Sequence, residues 1–235
     1  MSPPTAADID ALAKHCRRSL DLAGAKLPDE YFYDSLSLCV IDAVYSIGVR
    51  YESVINVVAR YRQFAGLNAV RRRDYADEPE SLRDLVPHRG NRCGSVRREC
   101  PTEPAAHSAH KWNSEGQRCA EVQPGADEHE VIFLKDLQAA DIRTIEEEIL
   151  RIPGQGSGIA FKYFLMLAGN DNFIKPDRMI QRFLSSALNR TVEIAECQEL
   201  VAGAVAILRE THSHITPRSL VYLIWNFQRD QGRKR

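Results

Sequence analysis

Ile152-Pro153-Gly154-Gln155-Gly156-Ser157-Gly158-Ile159-Ala160 lies between two stretches of helical periodicity, and its reading decides the rest. Pro153 cannot continue a helix, and glycine turns tightly and lets another backbone come close with no Cβ in the way. The stretch is therefore expected to be a hairpin joining two helices. The amides of Gly156, Ser157 and Gly158 are expected to be unpaired at the N-terminus of the second helix, where such donors and the helix dipole favour a bound phosphate. Many Pro/Gly turns between helices bind nothing, so the hairpin alone leaves both readings open.

Working outward, apolar residues recur at helical spacing almost everywhere. Residues 8–23 form a first amphipathic stretch. Residues 36–47, with Leu36, Leu38, Cys39, Val40, Ile41 and Val44, are apolar nearly all round and mark a buried central helix. Ser53 opens another, with Val54, Val57, Val58 and Tyr61 on one face and Gly66 as its stop. Ala139 or Asp141 caps a helix carrying Ile142, Ile145, Ile149 and Ile152; residues 158–168 follow; Asp177 starts Met179 to Leu188; Ile194, Val201, Val205 and Leu208 stripe another; Leu220, Leu223, Ile224 and Phe227 stripe the last. The expected fold class is all-α, multi-helix, with the helices meeting at a cleft.

Residues 87–130 break this pattern. They contain no Leu, Ile, Phe, Met or Tyr, yet hold three of the six cysteines and four of the seven histidines. Such a segment cannot build a core. It reads as a disordered polar insertion, as a loop with Cys93, Cys100, His107, His110 and Cys119 as metal ligands, or as a stretch translated in a shifted frame. The spacings match no familiar zinc arrangement, and no metal is expected. The organisation expected is thus 1–86 as N-terminal helices, 87–130 as the atypical segment and 131–235 as the hairpin and C-terminal helices, the two helical parts forming one cleft-containing unit.

With 235 residues the chain can bury a sizeable core, and its net charge of −1 argues against indiscriminate coating of nucleic acid. Locally, Lys162, Lys175, Arg178, Arg182 and Arg190 outnumber Asp171 and Asp177, a basic strip that suits a phosphate track or an ordinary solvated face. The cysteines form no C-x-x-C pair and read as reduced thiols. There is no run of eighteen apolar residues and no basic-then-apolar start. A soluble cytoplasmic protein without a membrane partner is expected, most simply a monomer.

The hairpin followed by Lys175-Pro176-Asp177-Arg178-Met179-Ile180-Gln181-Arg182-Phe183 resembles the helix-hairpin-helix DNA glycosylase superfamily. That family carries an (L/I)-P-G-(V/I)-G-x-x-(T)-A hairpin and, further on, a catalytic aspartate in a V-D-x-x-x-x-R segment. The resemblance implies DNA as partner, Asp177 as the catalytic carboxylate, and Gly154, Gln155, Gly156, Ser157, Gly158, Lys162 and Arg182 along the DNA backbone. It also implies a monovalent cation at the hairpin. A carboxylate there stabilises an oxocarbenium-like sugar and handles a water's proton while a flipped-out base leaves. Read locally, an Asp after Pro176 at a helix start is simply an N-cap.

Where bifunctional relatives carry a Schiff-base lysine, this chain has Gly158, so the resemblance implies hydrolysis without a strand-cleaving lyase step. No four-cysteine run follows the last helices, so no iron–sulfur cluster is expected. Gln155 and Ile159 depart from the family's aliphatic and threonine preferences. In the loop after the buried helix, Tyr45, Arg50 and Tyr51 are the candidate pocket or wedge residues, the two tyrosines equally reading as packing. A non-catalytic helix-hairpin-helix DNA-binding protein is the alternative.

Overall fold

A computed structural model describes residues 3–28, 31–46, 49, 51–67, 81–82, 131, 133–152 and 155–233. Among the described residues the chain is all-α, with eight helices, one 3₁₀ turn and no strand. In chain order the elements are α1 (Ala6–Ser19), α2 (Leu36–Tyr45), α3 (Tyr51–Ala65), the 3₁₀ turn (Asp136–Gln138), α4 (Ile142–Arg151), α5 (Ile159–Leu167), α6 (Arg178–Leu188), α7 (Ile194–Leu208) and α8 (Pro217–Arg233). Each helix expected from periodicity is present. The first is displaced, because Thr5 and Asp8 exchange side-chain and backbone hydrogen bonds in a capping box that starts α1 earlier, and its last turn closes before Leu20. The readings made for 87–130 lie outside the described residues. No helix among the described residues is long and apolar enough to cross a membrane.

The chain divides into two compact units, Met1–Pro28 with Gly169–Arg235, and Asp29–Ala168. The boundaries therefore fall at Pro28 and Ala168, whereas composition suggested 86 and 130. Composition marks the polar segment; it does not reveal that the apolar face of α1 belongs with helices far along the chain.

In the first unit α7 packs against α1, α6 and α8. Its Leu200, Val201, Ala204, Val205 and Leu208 are buried with Leu12 and Cys16 of α1, Ile180, Phe183 and Leu184 of α6, and Leu220 and Ile224 of α8. Gly203 sits mid-helix in α7 because α1 passes close there. A Cβ added at Gly203 would lie 2.7 Å from Ile9 Cδ1 and 3.0 Å from both Cγ atoms. Beside this core, Arg190 joins three helices. Its guanidinium donates to Asp8 at 3.2 Å and to Glu196 at 3.0 and 3.3 Å, while Glu196 also accepts from the Glu193 N–H at the start of α7. Cys16 and Cys197 are free, buried thiols pushed up to about 12 by burial first, which makes them poor nucleophiles.

In the second unit α2 packs against α3 and α5. Ser35 caps α2, and every residue from Leu36 to Val44 is buried. One of them is a carboxylate. Asp42 Oδ2 accepts from the Tyr33 hydroxyl at 2.6 Å, and Tyr163 of α5 also hydrogen-bonds to Asp42. Burial and the Asp42 charge push both tyrosines well above their ordinary range. Gly66, at φ +69°, ends α3 where expected, and the Leu67 N–H reaches back to the Arg62 carbonyl.

Gly203→Ala should lower the urea-unfolding free energy by about 1 kcal/mol or more, overpacking against Ile9 outweighing the helix propensity gained. Ile9→Ala in the same chain should recover part of that loss, and simple additivity of the two changes would contradict the contact. A second expectation concerns pH. Arg190 first, then the Thr5 backbone N–H, holds the Asp8 carboxyl below its ordinary range; Arg190 first, then the Glu193 N–H, does so for Glu196. Folded pKa values below the unfolded ones mean a contribution present above about pH 4 and lost as pH falls through the folded values. The groups are partly exposed and the effect is modest. Arg190→Gln should flatten the acid limb of a plot of unfolding midpoint against pH.

Candidate functional site

The hairpin belongs to the second unit. The Gln155 N–H donates to the Ile152 carbonyl and the Gly158 N–H to the Gln155 carbonyl, both at 2.9 Å, the second closing a reverse turn over Gly156 and Ser157. Pro153 and Gly154 lie outside the described residues. Gly158 is the N-cap of α5 at φ +66°, a left-handed conformation that disfavours any side chain. Its amide, expected to be unpaired, is used by the turn itself, because so short a reversal closes on its own backbone. Gly156 and Ser157 are exposed, and their N–H groups have no partner among the described residues. The Ser157 hydroxyl accepts from the Ile159 N–H at 3.4 Å.

Gln155 is a second departure from expectation. Its backbone amide is taken and its side chain is 3 % exposed, so in this conformation it has no donor to offer a phosphate. Instead its amide projects among Val40, Ala43, Val44, Ile149, Ala160, Phe161 and Phe164, at a cavity of about 20 Å³, with Nε2 unpartnered among the described residues. Lys162, one turn into α5, is half-buried and its ammonium makes no hydrogen bond or ion pair among the described residues. A monovalent cation would rest on hairpin carbonyls. Those of Ile152 and Gln155 each accept one hydrogen bond among the described residues and keep a second lone pair. Tyr45 packs partly buried against Leu38, Ile41, Val54 and Val58, as the packing reading anticipated; Tyr51, 37 % exposed, heads α3; Arg50 is outside the described residues.

Asp177 belongs to the first unit, so the hairpin and this carboxylate come from different units. It is the N-cap of α6. One oxygen, Oδ1, accepts from the Met179 and Ile180 N–H groups at 2.8 and 3.0 Å; Oδ2 has no partner among the described residues. Capping and availability thus coexist in one side chain. Arg178 and Arg182, one turn apart on α6, are exposed and unengaged among the described residues, whereas Arg190, counted with the basic strip, is committed to Asp8 and Glu196.

Two polar residues escaped the sequence reading. Asp42 could have been noticed as the one acid within an otherwise apolar helix. Gln198 carried no signal, since a glutamine on a helix is ordinary; in the fold its Nε2 donates to the Asn172 carbonyl at 2.8 Å and its Oε1 accepts from the Ile174 N–H at 3.1 Å.

Among the described residues, fold and side chains define an all-α protein of two helical units, one with two unpartnered amides at a glycine-rich hairpin and the other with a helix-capping carboxylate whose second oxygen has no partner. The family model for a domain of unknown function, DUF8548, matches residues 10–229, and the chain belongs to that family. No curated protein and no solved structure matches it.

The two described hairpin glycines should respond differently to alanine. A Cβ at Gly156 meets nothing closer than the Leu150 carbonyl oxygen at 3.9 Å, so Gly156→Ala should leave stability within about 0.5 kcal/mol. Gly158→Ala should cost about 1 kcal/mol or more, from the left-handed backbone at φ +66°, the Leu150 side chain 3.4 Å away making only ordinary contact. Denaturant unfolding of the two variants separates these outcomes.

Proposed function

We propose that this chain is a monofunctional DNA glycosylase-like protein that hydrolyses the N-glycosidic bond of a damaged or modified base, in base-excision repair or DNA defence. The observation that carries the reading is the divided carboxylate of Asp177: one oxygen held by two backbone amides, the other without a partner among the described residues. Fixing one oxygen removes the rotamer freedom that an acid or base would otherwise lose on reaching a transition state. The free oxygen then stabilises positive charge at the sugar and accepts a proton from water. In that step the water oxygen bonds to the anomeric carbon, the carbon–nitrogen bond breaks, and the base leaves with the bonding pair.

The Gly156 and Ser157 amides at the head of α5 support phosphate binding, with Lys162, unengaged among the described residues, in the same helix. Such contacts would offset the few kcal/mol needed to extrude a base. Gly158, lacking any amine, gives no covalent imine, which favours simple hydrolysis.

One observation favours the other reading, a non-catalytic helix-hairpin-helix DNA-binding protein: Asp177 already has structural work as an N-cap. Asparagine separates the roles, because its oxygen can accept the same two N–H bonds while carrying no charge. Asp177→Asn should therefore fold and bind duplex DNA as the wild type does, and base release should fall about a hundredfold or more. Alkali-revealed abasic sites on duplexes carrying different modified bases measure release, and fluorescence anisotropy measures binding. DNA binding by the wild type with no base release across the panel would favour the binder.

A further inference from the structure

The segment between α5 and α6 has no regular structure, yet it delivers Asp177. Its backbone is held by two helices of the same unit. Arg218 of α8, 1 % exposed, donates its N–H to the Asp171 carbonyl at 3.1 Å and its Nη1 to the Asp171 carboxylate at 3.4 Å. Gln198 of α7 does more. Its amide donates to the carbonyl of Asn172 and accepts from the N–H of Ile174, so it spans the two residues flanking Phe173 as a paired strand residue would. Ile174 is fully buried in the core, Pro176 is buried with its φ fixed by the ring, and the Asp177 N–H closes on the Lys175 carbonyl at 2.9 Å. Only Lys175 and Pro176 separate the clamp from the carboxylate, so little backbone freedom remains between them.

We infer that Gln198 is a positioning residue for Asp177, holding the carboxylate in register by pinning the segment that leads to it. The bridge needs a head group that donates and accepts at once on a stem of this length. Glutamate when ionised loses the donor and sets a negative charge against the Asn172 carbonyl; methionine keeps the stem and loses both bonds; asparagine is a methylene short. The Cys197 thiol, next in sequence, is pushed up by burial first and then by the charges of Glu196 and Asp177, in keeping with Asp177 lying near this turn of α7.

The effect on turnover rests on the proposed role of Asp177; the effect on geometry does not, and the two are measured separately on the full chain. Hydrogen exchange at the Met179 and Ile180 amides reports the cap without any substrate. Gln198→Met should speed their exchange about tenfold, while amides in the middle of α7 and α8 keep their protection. Gln198→Glu should behave likewise at neutral pH. It should regain wild-type protection factors as the glutamate is protonated, because a carboxylic acid donates and accepts as the amide does. A purely structural loss would not reverse in this way.

Unchanged protection at Met179 and Ile180 in both variants, or an equal loss throughout the unit, would overturn the inference. On a duplex from which the wild type releases base, Gln198→Met should lower kcat about a hundredfold and leave KM unchanged. Loss in KM alone would also count against it. If the wild type releases no base, the glycosylase reading fails while the exchange result still decides the role of Gln198.

Discussion

The first unit depends on the buried face of α7. Leu200, Val201, Ala204, Val205 and Leu208 are nearly or wholly removed from water, and three helices lean on them at once. Burying such side chains stabilises by about 1.5–3 kcal/mol each for the larger ones, and so large a shared surface tolerates few alternative arrangements. The first turns of the same helix carry the polar fittings. Glu196 engages Arg190 and, through it, α1; Gln198 engages the segment before α6. Apolar packing sets where α7 lies, and the polar side chains pass that position on to the loops around it.

An N-cap is worth about 1 kcal/mol and uses only one oxygen, because two adjacent amides converge on a single acceptor. The second oxygen of Asp177 has no partner among the described residues. A side chain already immobilised for folding also has less entropy left to lose in a reaction. The capping seen at Asp177 is therefore compatible with both functional readings, and the proposed reaction draws on the oxygen that the cap leaves over.

The second unit shows the opposite use of polarity. Asp42 lies inside a helix whose other buried positions are almost all apolar, and the hydroxyls of Tyr33 and Tyr163 turn toward it. A buried carboxylate is costly unless hydrogen-bonded, and the Tyr33 hydroxyl supplies such a bond at Oδ2 while both rings add apolar bulk to the core. Gln155 is the less comfortable case. Its amide enters an apolar cavity where Nε2 finds no partner among the described residues.

The helices were legible in the amino-acid order because amphipathic periodicity and local stop signals act within a few residues. Gly66 ends α3, Asp177 caps α6 and the glycine-rich run after Ile152 reverses the chain, each for reasons contained in its immediate neighbours. What required the tertiary structure was every choice made between distant segments. Nothing near α1 says that it packs with α7, nothing near Gln198 says that its amide bridges Asn172 and Ile174, and the turn's use of the Gly158 amide depends on how tightly the backbone closes. Periodicity encodes which face is buried; it carries no record of the partner, because many apolar faces would satisfy the same hydrophobic demand and only simultaneous packing of the whole unit selects among them.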